Sequence, residues 1–263
     1  MQTFFYLIVA FCASAIGAIC GMGGGVIIKP TLDLFQLDSV EAISFLSSCT
    51  ILSMTAYSVG RGWMAGDSKV NVRISTPLAL GAVVGGVLGK QLFAVIQDMS
   101  SDPDRVGAVQ AITLALVLCC VLVYTLCKAH IQPLQVKNSA LCALIGLCLG
   151  TFSSFIGIGG GQANLVVLFF FFSMDAKTAA QNSLYVILFS QLARLITTVV
   201  TQTVPDFVPF RLVLMIIGGI CGGILGRKLL RRLTNRGVEK IFIAVMVGII
   251  LVNVYNVTQF LGV

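Results

Sequence analysis

Charge is what this chain has least of. Only 10% of its 263 residues are Asp, Glu, Lys or Arg, where a soluble domain carries about 25%. With a mean hydropathy of +1.00, that scarcity excludes a water-soluble globule and leaves no stretch polar enough for a separate soluble domain. Histidine is nearly absent too: His130 stands alone, in a polar connection, and reads as a solvated residue. The nine cysteines lack any paired C-x-x-C spacing, so they offer no metal centre. All but Cys127 lie well inside apolar runs and read as small packing residues. A basic n-region is also missing ahead of the first apolar run, and an equivalent run recurs in mid-chain, so the first twenty residues read as structural rather than as a signal peptide.

What is present is apolar sequence in lengths that cross a bilayer of about 30 Å. Eight spans are predicted, at 4–33, 40–60, 74–96, 107–127, 138–172, 178–202, 209–230 and 238–261. The fold class is therefore all-α, a polytopic membrane protein. Its net charge of +7 does not indicate a nucleic-acid partner, because the basic residues lie between spans and gather in Arg227, Lys228, Arg231, Arg232, Arg236 and Lys240. Such a cluster suits a cytoplasmic, lipid-facing loop.

The chain repeats itself. Gly23, Gly24 and Gly25 recur 136 residues later as Gly159, Gly160 and Gly161, and Cys12 as Cys148. After one inserted residue the offset becomes 137: Asp38 matches Asp175, Ala42 matches Ala179, and Gly81, Gly85, Gly86, Gly89 and Lys90 match Gly218, Gly222, Gly223, Gly226 and Arg227. The predicted organisation is a first four-helix half at 1–128, a connection at 129–137 and a second four-helix half at 138–263. Four crossings per half give the copies one orientation and a pseudo-two-fold axis along the membrane normal, a parity that changes if a broken segment turns back on itself. With both termini outside, ten of the basic residues fall on the cytoplasmic side, Lys29 among them, and six on the other.

Each half opens on a span broken by glycines, Gly21–Gly25 and Gly157–Gly161. Each glycine costs roughly 1 kcal/mol of helix propensity against alanine, so the expected local form is two half-helices meeting at an unwound elbow. Small residues also permit close packing, but paired breaks at corresponding places are the pattern of a transporter's binding site. The N-terminus of the following half-helix would favour an anion. The glycines of spans three and seven, four apart, predict tight helix crossings, with Lys90 and Arg227 reaching the interface. Asp38-Ser-Val-Glu41 and Asp175-Ala-Lys-Thr178 predict capped helix starts. Hydroxyls and amides then enter the bilayer: Ser44, Ser47, Ser48 and Thr50 in one half, Gln181, Asn182, Ser183, Ser190 and Gln191 in the other. Asn182 either bonds a neighbouring helix or meets substrate. Arg194, inside span six, either snorkels or supplies the counter-charge for an anion. Asp33 and Glu41, near span ends, read as capping or solvated groups that are able to bind protons.

The doubled G-x-G-G-G with Pro30 after its first copy, the Asp-started spans carrying Ala42 or Ala179, and the glycine-rich third and seventh spans resemble the TauE/SafE family of sulfite and organosulfonate permeases. The resemblance runs nearly the length of the chain and implies seven or eight spans and ATP-independent movement of small sulfur-containing anions. Asn182-Ser183 stands where the family often has Thr-Ser, Phe45-Leu46 departs from that polarity in the first half, and Val166 replaces the second proline, so the second half is expected to supply more contacts. The predicted substrate-binding set is Gly23, Gly24, Gly25, Gly159, Gly160, Gly161, Gln162, Asn164, Asn182, Ser183, Arg194 and Ser48. No cofactor, metal or enzyme activity is expected. The expected partners are a small anion with a coupled proton or cation, the lipid of the cytoplasmic membrane, and a second copy in a homodimer that the sequence leaves open. A passive anion channel and a membrane thiol relay through Cys20 or Cys148 remain the alternatives.

Overall fold

A computed structural model describes residues 2–35, 38–99, 103–128, 132–156 and 161–261, and all its regular structure is helical. The helices are α1 (Gln2–Cys20), α2 (Gly25–Leu34), α3 (Val40–Met64), α4 (Val72–Met99), α5 (Pro103–Cys127), α6 (Ser139–Ile156), α7 (Gly161–Phe170), α8 (Ala176–Val200), α9 (Pro209–Arg232) and α10 (Asn235–Leu261). Among the described residues, five stretches are long and apolar enough to cross a membrane: Thr3–Cys20, Val40–Met64, Val72–Leu92, Ala176–Val200 and Pro209–Arg232.

The first broken span does not cross and continue. After α1 the backbone reverses through Gly21, Gly23 and Gly24, at φ of 71°, 78° and 72°, a left-handed conformation that glycine adopts without penalty. α2 then runs back beside α1. Its Ile28 and Leu32 are buried with Tyr6, Val9, Ala10 and Ala13, and the ring of Phe35 meets that of Phe5 at 4.7 Å. α6 and α7 make a second hairpin. The Leu134 and Val136 amides just before α6 donate to the Phe170 and Phe171 carbonyls at the end of α7, at 2.7 and 2.9 Å. Each hairpin therefore enters and leaves on one face of the protein.

This reversal changes the predicted parity. α3 and α8, related by the 137-residue offset, lie antiparallel: Arg194 near the end of α8 bonds Ser44 near the start of α3, while Gln181 near the start of α8 accepts from the Lys69 amide beyond the end of α3. α3 and α8 thus point opposite ways, where an axis along the membrane normal would have them point the same way. The start of α1, the end of α10, the start of α3 and the connection 201–208 share the near face; the connections 65–71 and 233–234 and residues 132–138 share the far face.

The glycine-rich helices hold the arrangement together. α9 runs parallel to α1, and a Cβ added at Gly218, Gly222 or Gly226 would collide with the carbonyl of Leu7, Phe11 or Ala15. α4 runs parallel to α6 with the offset-related set, Gly81 on Ala143, Gly85 on Leu147 and Gly89 on Thr151. Each half's first helix is therefore clasped by a helix of the other half. On the adjoining face of α4, about 100° round the helix from these glycines, Leu80, Val84 and Leu88 are exposed, one helical stripe for lipid.

Candidate anion site at the first glycine turn

The first turn is wedged between α3 and α8. A Cβ at Gly21 would come 2.5 Å from Ala180 Cα, and one at Gly23 would sit 3.2 Å from Ile187 and 3.3 Å from Ile51. Ser183 donates to the Gly21 carbonyl at 2.6 Å, which fixes the turn against α8. The Ile27 and Ile28 amides both reach the Gly24 carbonyl at 3.0 Å. No hydrogen bond is made by the amides of Gly23, Gly24, Gly25 or Val26 among the described residues. Pro30, inside α2, has no N–H to return to the Val26 carbonyl. The start of α2 therefore presents unpaired donors and the positive end of a helix dipole.

Charge collects beside it on the near-face side. Lys29 lies one turn into α2, half-buried, and the charges of Asp33, Arg194 and Glu41 act on its ammonium. The Arg194 guanidinium donates to Ser44 Oγ at 2.6 Å. Two cations from α2 and α8 thus face one region with a carboxylate from α2 and one from α3. Two positive and two negative charges there sum to zero, with Asp33 and Glu41 balancing Lys29 and Arg194.

Neutral polar groups complete the region. Ser44 opposite Arg194, and Ile51 with Ile187 around Gly23, set the α3/α8 register, which brings Ser47 and Gln191 to the level between them. Ser47 is 4% exposed and Gln191 2%, and Ser47 Oγ and Gln191 Oε1 have no hydrogen-bond partner. Ser14 Oγ on α1 is also buried and unpartnered, but it faces Gly219 of α9, and the α2 turn meets the Ser14 Cα. Orphaned polar atoms of this kind are rare and call for a ligand, water or ion.

The sequence-predicted residues divide accordingly. Gly23, Gly24 and Gly25 form one turn, and Arg194 lies seven residues along α8 from Ile187, which packs on Gly23. Asn164, in the first turn of α7, is 3% exposed with Oδ1 unpartnered. Gly159 and Gly160 lie outside the described residues, as does His130; Gly161 opens α7, and the Gln162 side chain is outside the description. Asn182 takes the first of its two expected roles, bonding its neighbours, and protein groups use its whole amide. Oδ1 accepts from the Asn71 amide at 2.8 Å and Ser75 Oγ at 2.6 Å, and Nδ2 donates to the carbonyls of Lys69 and Thr178 at 3.0 and 2.7 Å. Ser183 is committed to Gly21, and Ser48 Oγ returns to the Ser44 carbonyl at 2.8 Å. Asp38 is not the cap of α3. Ser39 accepts from the Ala42 amide at 3.2 Å, while Asp38 pairs with Arg211 and accepts from Tyr6, both at 2.5 Å. Asp175 does cap α8, at 2.7 Å from the Thr178 amide. Lys29, Ser44, Ser47 and Gln191 were absent from the predicted set. Ser44 on α3 bonds Arg194, and the charge of Arg194 acts on Lys29, so first-half and second-half residues are neighbours here.

A second polar recess lies on the far-face side, lined by Ser58, Gly62, Asp67, Ser68, Gln181 and Arg227. Its cations are already paired. Arg227 bonds the Ser58 carbonyl at 2.7 Å and, with Arg231, the Asp67 carboxylate. Partial burial works to raise the Asp67 carboxyl, but the Arg231 hydrogen bond and the charge of Arg227 outweigh it and hold the group below the ordinary carboxylate value. These pairs tie the 65–71 connection to α9 and close that face.

No curated protein and no solved structure matches this chain. A family model does: the sulfite exporter TauE/SafE model matches residues 6–253. That match covers the hairpins, the glycine clasps and the α3/α8 crossing together, and the chain belongs to the sulfite exporter TauE/SafE family.

Proposed function

We propose that the chain is a secondary transporter of small sulfur-containing oxyanions, such as sulfite, thiosulfate or organosulfonates, that binds its substrate between Lys29, Arg194 and the amides at the start of α2. The observation that carries this reading is a pair of cations, Lys29 one turn into a helix whose first amides are unpaired and Arg194 whose charge acts on it from α8. A guanidinium matches the spread oxygens of an oxyanion, and backbone amides add donors at fixed geometry. Ser47 and Gln191 supply neutral contacts deeper in the crossing.

The repeat supports movement by alternating access. Under the offset, Ser44 in the near-face site corresponds to Gln181 in the far-face recess, so two polar vestibules flank the α3/α8 crossing in related positions, one latched and one not. Exchanging their states is the motion that inverted halves permit. With the hairpins in place, all of the 17 Lys and Arg residues except Lys29, Lys90, Arg105, Arg194 and Arg211 fall toward the far face. The positive-inside bias then makes the far face cytoplasmic in the cell membrane, with the anion site open toward the other side.

The test is flux in proteoliposomes. Radiolabelled thiosulfate should enter saturably and be trans-stimulated by unlabelled thiosulfate inside. Arg194→Gln should abolish this, and Arg232→Gln, an exposed residue outside both vestibules, should not. Non-saturating flux without trans-stimulation would favour a channel, and loss of flux only on replacing Cys20 and Cys148 would favour a thiol relay.

A further inference from the structure

The anion site carries its own negative charge, and the mechanism above does not use it. Asp33 lies four residues beyond Lys29 on α2, the position one turn along that faces the same way, and their charges interact. Its Oδ1 is buried without a hydrogen-bond partner. That is an unusual state for a carboxylate among apolar helices, where a capping or solvated group would show a backbone amide or open water. The Lys29–Asp33 couple is not a closed ion pair either, because none is found between them among the described residues.

We propose that Asp33 is the proton-coupling group of the transporter, accepting a proton when the anion binds at Lys29 and Arg194 and releasing it when the anion leaves. The inference rests on the substrate reading above. With no anion bound, the charges of Lys29 and Arg194 are balanced by Asp33 and Glu41. An anion brings further negative charge to Lys29 and takes over the attraction that keeps Asp33 ionised. A proton from the aqueous phase then bonds to an Asp33 carboxylate oxygen, its charge rises from −1 to zero, and no other bond forms or breaks. Anion and proton travel in the same direction. The groups that face Asp33 are consistent with this single exchange. Its own helix offers Lys29, whose charge acts on it directly; Glu41, exposed in the first turn of α3, and Arg194 on α8 act through Lys29. On α1, Tyr6 is already bonded to Asp38, and α10 has no charged residue beyond Lys240.

Thiosulfate, which holds no proton near neutral pH, is the probe. Titrating it into weakly buffered, detergent-solubilised wild-type protein should take up protons, approaching about one per anion bound by the linkage between the two equilibria. In proteoliposomes an inwardly acidic-to-alkaline gradient should drive thiosulfate accumulation. Asp33→Asn should lose both proton uptake and gradient-driven accumulation while keeping thiosulfate counterflow at equal pH, and Asp33→Glu should restore coupling. Binding without proton uptake by the wild type overturns the proposal whatever the variants do, as does coupling that survives in Asp33→Asn. Absence of both thiosulfate binding and counterflow in the wild type is a different failure. It removes the substrate reading, and the coupling falls with it.

Discussion

Arg194→Gln separates a binding residue from one that only reaches for the membrane interface. A charge-assisted hydrogen bond contributes about 1.5–3 kcal/mol, so losing the guanidinium contact to an oxyanion should weaken binding by roughly 10- to 100-fold. At a thiosulfate concentration 100 times the wild-type Kd, ligand stabilises the folded protein by about 2.7 kcal/mol. In the variant the same concentration is only about 1 to 10 times Kd, and stabilisation falls to about 0.4–1.4 kcal/mol. The ligand-free protein should behave differently. Among the described residues Arg194 bonds the Ser44 side chain, and its charge opposes that of Lys29 with Asp33 and Glu41 in the same region, so its removal loses attraction as well as repulsion and the apo melting temperature should change far less than the ligand-induced shift. Thermal unfolding in detergent, with and without thiosulfate, reads both quantities from one preparation. An unchanged ligand-induced shift would refute the assignment of Arg194 to the site.

Three further outcomes follow from the geometry. Asn182→Ala strips partners from the Asn71 amide, the Ser75 hydroxyl and the Lys69 and Thr178 carbonyls; it should cost about 2–4 kcal/mol of stability and leave thiosulfate affinity of the folded fraction unchanged, with a weakened Kd counting against the structural role. Gly85→Val should prevent stable assembly, because a Cβ there enters the Leu147 carbonyl, whereas Gly60→Ala, with open space around it, should be neutral or stabilising by up to ~1 kcal/mol; equal yields and melting temperatures would contradict the clasp. In a background without the native cysteines, cysteines placed at Lys137 and Arg236 should react with a membrane-impermeant maleimide from the same side, since both connections lie on the far face; labelling from opposite sides would restore eight ordinary crossings.

Where the sequence could be read and where it could not has a physical basis. Glycines four apart announce close helix approach, and the clasps of α4 and α9 are where that spacing puts them; their partners, α6 and α1, belong to the other half, and nothing local in a glycine stripe names a partner. Asp175 was legible as a cap because capping involves only neighbours in sequence. Asp38 has the same pattern but is drawn to Arg211, a residue 173 positions away. The direction of the chain after Gly24 was the costliest ambiguity. Hydropathy scores an apolar run identically whether the backbone continues or returns, and only the left-handed glycines with the Phe5–Phe35 contact decide it. Taking the run as one crossing sent Lys29 to a cytoplasmic end and hid it from the site. Asn182 and Gln191 pose the same problem in miniature: both are buried amides on α8, one with every position filled and one with an orphaned oxygen.

The account stands on where the anion sits. A structure solved with selenite, a heavier analogue of sulfite, would locate it by the anomalous scattering of selenium. The account predicts one peak at the start of α2, within hydrogen-bond reach of the Arg194 guanidinium and the Gly24–Val26 amides and close to Lys29. A peak confined to the far-face recess beside Arg227, with the α2 turn empty, would contradict it.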